Sequence, residues 1–428
     1  MSSRAAAAPD AYALLPRIAT VGGMLVAVIL LTHWPTYSYL VLGGPLPLLY
    51  YLLPGFLATA IVFLRPSAAM RVLGEPVFWW FALYMISGLA WLLLSQDFPD
   101  VANRQWRLRF LGFYFFCTAL LIASIANRSM LALAIFACIF IAGALNWFDV
   151  LFPLRMVPRG IDGANPGRGA GMFINANGAA AFVLMGTIAA LPYTRMRYRA
   201  AVLWFAAIAI LPTFSRFGFI FFVLLIGLVM AVKLLDRIQL AFVVAAIPVF
   251  IAGAGLYQHF LLDPANPNQN IAGRLEWFRT LGQEVDFSAR ERAYVAQRAR
   301  DAFMESPLYG HGVGATVAKG QRVGTHNSYL LLMVEQGLLG LALYLSLIAL
   351  VAHRGWKLAR TAVSRHVRDI GMGAVLYAMF LALYGFVSHN VLEEPHGMFI
   401  LAFIIAASMT RNALYATHAA SHNRQDAN

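Results

Sequence analysis

The chain is 428 residues long, 61% hydrophobic and only 12% charged, where a soluble protein would carry roughly twice that charged fraction. One globular core cannot hide so much apolar surface, so an ordinary soluble domain is excluded and a bilayer is the expected solvent. The net charge of +13 is spread over short connections and one long one, with no soluble basic domain to dock a duplex. Nucleic acid is therefore excluded as a partner, and anionic membrane lipids or lipid-linked anions are expected instead. A spanning helix needs ~20 mostly apolar residues. In chain order such runs fall near 17–33, 41–64, 76–95, 110–126, 129–147, 171–193, 198–213, 217–235, 240–258, 327–352, 369–389 and 396–412. The first run follows Arg17 without a small-residue cleavage site after it and reads as a retained helix. Pro45, Pro47 and Pro54 make the second irregular. Cys117 and Cys138 both lie within apolar runs, which gives neither a disulfide framework nor metal-ligand spacing. The fold expected is all-α and polytopic, with about twelve transmembrane helices and one large outer loop.

Lys and Arg in the short loops set the orientation. Arg65, Arg71, Arg128, Arg195, Arg197, Arg199, Lys233, Arg237, Arg354, Lys357, Arg360, Arg365, Arg368 and Arg411 collect on one side. If that side is cytoplasmic, both termini are cytoplasmic and 259–326 lies outside. The chain then divides into helices 1–9 (1–258), an outer loop with amphipathic helices (259–326), helices 10–12 (327–412) and a tail (413–428). The outer side is less bare of arginine than the rule expects. It holds Arg104, Arg107, Arg109, Arg155, Arg159, Arg168 and Arg216, with more in the large loop. Snorkelling to lipid phosphates accounts for part of this; an anionic substrate at the outer face accounts for the rest.

The large loop carries Ser288-Ala-Arg290-Glu-Arg292, and residues 288–306 read as an amphipathic helix with Tyr294, Ala296, Ala299, Ala302 and Phe303 on its apolar side. A glycine turn follows, Pro307-Leu-Tyr-Gly310-His311-Gly312-Val-Gly314, without the Lys-Ser/Thr of a phosphate loop. The loop closes at Thr325-His326-Asn327-Ser328-Tyr329, and Glu335-Gln-Gly337-Leu-Leu-Gly340 lies just inside the next span. Earlier in the chain stand Arg168-Gly-Ala-Gly-Met-Phe-Ile-Asn175-Ala-Asn177 and Ser215-Arg216. These stretches, in this order over residues 168–340, resemble the O-antigen ligase/polymerase superfamily of bacterial envelope glycosyltransferases. Phe217 departs from the pattern, since a small residue usually follows that arginine.

The resemblance implies a GT-C-like enzyme of the bacterial inner membrane, working at its periplasmic face and expected to be monomeric. Its donor would be an undecaprenyl-diphosphate-linked glycan. Its acceptor would be lipid A–core oligosaccharide in a ligase, or another lipid-linked repeat unit in a polymerase. It also implies no metal and no cofactor; the outer loops show no Asp-x-Asp pair and no His/carboxylate cluster with ligand spacing. The long outer loop, basic balance and twelve spans lean to the ligase. A protein O-oligosaccharyltransferase, expected to extend further beyond the last span, ranks third.

A departing diphosphate needs cationic donors where its charge grows, and arginine's planar fork matches phosphate oxygens. Arg216 and Arg290 are the candidates, Arg290 competing with Arg274, Arg292 and Arg298. The acceptor hydroxyl is a weak nucleophile that a base assists, and His326, at the outer end of a span, suits that part. The family match supports the same three residues as catalytic. Arg168, Asn175, Asn177, Arg292, His311, Asn327 and Tyr329 are candidate substrate contacts. Each has a simpler alternative. Arg216 as an interfacial anchor, Asn327 or Ser328 as a helix cap, His311 as a turn residue, and Asn175 and Asn177 as backbone partners remain open. His389, Glu393, Glu394 and His396 read as an ordinary solvated turn ahead of a functional one.

A transporter is the rival from another class, but it would place ionisable groups within its spans. Here Glu335 is the main exception, expected to pair with an arginine, tune His326 or face a cavity. Residues 264–270, Pro-Ala-Asn-Pro-Asn-Gln-Asn, read as a lid hinge. Adding lipid diphosphate should slow hydrogen exchange or proteolysis across the outer loop; identical behaviour with and without it removes the lid.

Overall fold

The computed structural model describes residues 11–95, 97–152, 154–158, 160–161, 167–245, 248, 252, 287–318 and 325–409. The hinge at 264–270, Arg159, Arg274, all of 259–286 and the tail 413–428 lie outside these. In chain order the helices are α1 (Ala11–Leu31), α2 (Trp34–Leu42), α3 (Pro47–Leu64), α4 (Pro66–Leu73), α5 (Pro76–Leu92), α6 (Pro99–Ile125), α7 (Arg128–Leu151) and α8 (Ala176–Ala190). There follow α9 (Arg199–Ile210), α10 (Arg216–Ala231), α11 (Arg237–Val244), α12 (Phe287–Glu305), α13 (Ala315–Ala318), α14 (Ser328–Arg360), α15 (Arg365–Tyr384) and α16 (Pro395–Ser408). The described residues form no strand.

Seven of the described helices are long and apolar enough to cross a membrane, or eight when α4 and α5, bent by 71° to each other, count as one span. Twelve is therefore not reached at that length. The difference lies in short helices: α10 and α16 are apolar but have fewer residues, α9 has 12 residues, and the run expected at 240–258 is described only at 240–245, where α11 ends, and at 248 and 252. The second run is broken at 43–46, whereas Pro54 lies inside the continuous α3. Gly43, at φ +64, ends α2, and Pro47 opens α3 at a position where its missing N–H costs nothing. One boundary moves further. Arg104, Arg107 and Arg109, expected in an outer loop, lie on α6, which begins at Pro99 behind the tight Ser95–Phe98 turn.

Helix α8 runs through the middle of the bundle, with 13 of its residues buried. Its small side chains make this possible. Gly186 packs where a Cβ would come 2.9 Å from Ile139 of α7, the close approach by which membrane helices gain dispersion contact. Ion pairs lock the end opposite the motif residues: Arg199 with Asp369 at 2.6 Å, and Arg354 with Glu75.

The other end gathers every motif. Helix α14 is interrupted at Gly337, whose φ of +65 and ψ of −152 are not helical. The glycine turn fills the break. His311 N donates to Val334 O, Gly312 N to Glu335 O, and Leu338 N to Pro307 O, so backbone groups freed by the interruption are satisfied from outside the helix. A Cβ on Gly310, at φ +69, would sit 2.5 Å from the Glu335 carbonyl carbon, which is why glycine stands there. The Glu335 carboxylate is 2% exposed. It accepts Gly314 N at 2.8 Å and pairs with Arg109 of α6, the arginine partner expected for it.

Removing one partner of a buried pair leaves an uncompensated charge and costs about 3–5 kcal/mol, whereas replacing both by apolar residues costs far less. Arg109→Met should therefore lower thermal stability sharply in detergent, and Arg109→Met with Glu335→Leu should recover most of the loss. Equal melting of the single variant and the wild type would remove this pair as the anchor of the turn.

Candidate functional site

His326 stands one residue ahead of the cap of α14. Asn327 is that cap: its side chain accepts from Tyr329 N and Leu330 N at 2.9 and 3.1 Å, as its bland alternative holds. His326 itself has φ +48, a left-handed conformation that a side chain bearing a Cβ adopts at a cost of roughly 1–3 kcal/mol. Two hydrogen bonds hold the segment there. Ser328 N donates to Gly385 O and Ser328 Oγ to Ser388 O, both at 2.7 Å. The entry to α14 is thus tied to the loop after α15.

That loop is not the solvated turn expected from its sequence. Val391 and Leu392 are 3% and 4% exposed, His396 is 1% exposed and the Glu394 side chain 23%. Gly112 of α6 lets the loop approach, since a Cβ there would run into the Leu392 carbonyl. His389 lies edge-to-face with His326, ring centroids 5.3 Å apart. Glu394 Oε2 is 3.1 Å from His396 Nε2, and His396 faces His33 at 5.9 Å. Phe173, beside the Arg168 stretch, stacks on His33 at 5.2 Å. Three connections distant in sequence thereby converge beside α14.

The electrostatics follow from this burial. His326 is pushed down to about 4, first by desolvation and then by the neighbouring His389 and the charge of Arg292, so its imidazole is neutral at ordinary pH. His389 is likewise lowered by burial, with Glu394 opposing. Burial pushes Glu393 up to about 8, with Arg109 opposing and Glu335 and Glu394 adding to the rise. Burial also raises Glu394, but the imidazoles of His396, His33 and His389 outweigh it and leave this carboxyl below its usual value. Adjacent carboxyls are thus driven apart, Glu393 protonated and Glu394 ionised, a pattern that favours functional sites.

Helix α12 matches the amphipathic helix expected over 288–306. Its buried face is Val295 and Ala299 with Ala302 and Phe303, at helical spacing. Tyr294 is instead 62% exposed, with Arg298 over its ring. Arg290 is exposed on α12 while Arg292 is half-buried, and Arg292 is the loop arginine whose charge acts on His326. Arg216 is half-buried at the first turn of α10, behind a Ser215 cap on Gly218 N. Phe217 beside it packs on Tyr384 at 5.2 Å, next to the Gly385 carbonyl that holds Ser328. The residue that departs from the family pattern therefore seats α10 against the α15 end.

Other candidates are engaged in building the site. Arg168 is 2% exposed; its Nε donates to Thr213 O at 2.9 Å and its Nη2 to Asn177 Oδ1 at 3.0 Å, clamping its loop to the Ser215-Arg216 turn. Asn175 caps α8 by accepting Asn177 N. Tyr329 donates its hydroxyl to Ala382 O at 2.7 Å. His311 Nε2 lies 2.7 Å from Ala302 O, which joins the glycine turn to α12. His33 is the member that sequence reasoning missed, because a lone histidine after an apolar run carries no signal. Among the described residues, no group of three or more His, Cys, Asp or Glu is placed to hold a metal ion.

Hydrogen bonds from a charged donor contribute about 1.5–3 kcal/mol, and lysine cannot reproduce the Arg168 fork. Arg168→Lys should lower the melting temperature by several degrees; unchanged melting would free Arg168 from this clamp and return it to substrate contact.

The residues from 201 to 345, about a third of the chain, match the family model described as O-antigen ligase. They include Arg216, Arg290, His311, His326 and Glu335. No curated protein matches the chain.

Proposed function

We propose that this chain, whose residues 201–345 match the O-antigen ligase family model, transfers a glycan from undecaprenyl diphosphate to a sugar hydroxyl of lipid A–core oligosaccharide at the periplasmic face of the inner membrane. The observation that carries the reading is His326: a neutral imidazole, half-buried at the mouth of α14. It stands beside Arg292, where a lipid-held donor and an aqueous acceptor meet. His326 takes the proton of the acceptor hydroxyl as its oxygen bonds to the anomeric carbon. The bond from that carbon to the diphosphate breaks, and the electron pair leaves with the phosphate oxygen. Arg216 and Arg290 meet the growing negative charge, with Arg292 adjacent, and in a partly dry site such donors are worth several kcal/mol. A single displacement inverts the anomeric configuration. Both substrates supply their own lipid anchors, which suits a site built from the ends of spanning helices.

The test is transfer in nanodiscs from undecaprenyl-diphosphate glycan to purified lipid A–core. Wild type should label lipid A–core, and His326→Ala should lose about 10²–10⁴-fold in rate. Arg290→Ala should lose rate as well. Lengthening of the donor glycan without lipid A–core would replace the ligase reading by the polymerase; no transfer to either acceptor from folded protein would end the enzymatic reading. The pH profile adds a second check. A base works in its neutral form, present above its pKa, so kcat/KM should hold as pH drops through 6.5 and fall only towards about 4. An acid limb at the ordinary histidine value would show that His326 is solvated in the working enzyme.

A further inference from the structure

Resting on the reading of His326 as the base, we propose that His389 is its positioning residue. The catalytic unit is then two imidazoles delivered by two separate connections, with Glu394 behind them. His326 sits in a left-handed conformation, bridged locally by Thr325 Oγ1 donating to Asn327 O at 2.9 Å, while Asn327 and not His326 caps α14. What ties this turn to the neighbouring loop is the pair of Ser328 hydrogen bonds to Gly385 O and Ser388 O. These fix the His326 segment against the residue preceding His389, so the two rings are set relative to each other by backbone and not by side-chain chance. Their centroids are 5.3 Å apart at 70°, an edge-to-face arrangement that holds one ring's rotamer against the other. His389 Nδ1 is buried, and among the described residues it finds no hydrogen-bond partner. An unsatisfied buried ring nitrogen is costly to keep, which fits a ring held there for its neighbour and not for packing alone.

The charged groups around the pair favour this division of work. Arg292 of α12 faces His326; Glu394 faces His389 within their own loop; His396 and His33, on α16 and the α1–α2 connection, face Glu394. When His326 accepts the hydroxyl proton it becomes an imidazolium beside a like-charged arginine. Glu394 acts on His389, and His389 is the neutral, polarisable ring of that loop that the base meets. His389 forms and breaks no bond to substrate. It holds the His326 ring edge-on and keeps bulk water from that side.

The experiment compares His389→Phe, which preserves the ring packing but removes both nitrogens, with wild type and with His326→Ala in the nanodisc assay. His389→Phe should lower kcat about 10–100-fold with the KM for the lipid-linked donor within about twofold, a split expected for a group that acts on the chemical step. Its acid limb in kcat/KM should move upward, because the neighbouring imidazole that helps hold His326 down is gone. His389→Gln, which restores a polar group without the ring, should recover less than half of the lost rate. Wild-type kcat and an unmoved acid limb in His389→Phe, alongside an inactive His326→Ala, would overturn this inference and leave the base intact. Full activity in His326→Ala would overturn the reading on which it rests. A His389→Phe variant that loses rate with no shift of the limb would make His389 a packing residue only.

Discussion

The docking of the glycine turn into the break of α14 is the constraint on which the site depends. A helix interrupted at membrane depth exposes backbone groups that lipid cannot satisfy, and residues 307–314 meet three of them with their own N–H and C=O groups. The Glu335 carboxylate fastens the arrangement, holding Gly314 N on one oxygen and Arg109 of α6 on the other. Once the turn is fixed, α12 is carried in by His311 against Ala302 and by the buried Ala299 and Phe303 cluster. Arg292 arrives with it. A segment that would otherwise be a long tether becomes a wall of the site.

The same logic explains why so many residues that look like ligands in sequence turn out to hold protein. Arg168 spends its guanidinium on Thr213 and Asn177, Asn175 and Asn327 cap helices, and His311 binds a carbonyl. A membrane site assembled from helix ends has many unpaired backbone groups to satisfy before it can bind anything. Polar residues at span ends are therefore drawn first to structure, and His326 and His389, whose rings meet edge to face, are the better markers of chemistry.

The helical architecture was legible because apolar runs of spanning length have no other outcome in a chain this poor in charge. The order of motifs was legible too, since the glycines at 310, 312, 314 and 337 mark backbone conformations that other residues resist. The pairing of Glu335 with an arginine could be foreseen from the cost of a lone carboxylate in a span, but not that Arg109 would be the one, because α6 starts at Pro99 and not after the arginines. The burial of residues 389–396 was invisible. Nothing in Ser-His-Asn-Val-Leu-Glu-Glu-Pro-His says that Gly112 of a helix far away leaves room for it. Contacts of this kind are set by which helix ends come together, and local pattern does not encode them.

A base whose pKa is held near 4 is neutral and ready but intrinsically weak, and this bears on how donor and acceptor are coordinated. Two of the causes that hold it down are the neighbouring imidazole and the charge of Arg292, so an arriving diphosphate would act against both. At an effective dielectric of about 20, one negative charge ~5 Å away is worth roughly 3 kcal/mol to an imidazolium, about two units of pKa. On the proposed reading, donor binding thus strengthens the base at the moment a hydroxyl needs it, and donor departure weakens it again. Water reaching the site without donor meets a poor base and no leaving group. The burial that costs His326 its ordinary basicity therefore works as a safeguard, and it requires no moving part, only an anionic substrate placed beside an imidazole that two connections hold still.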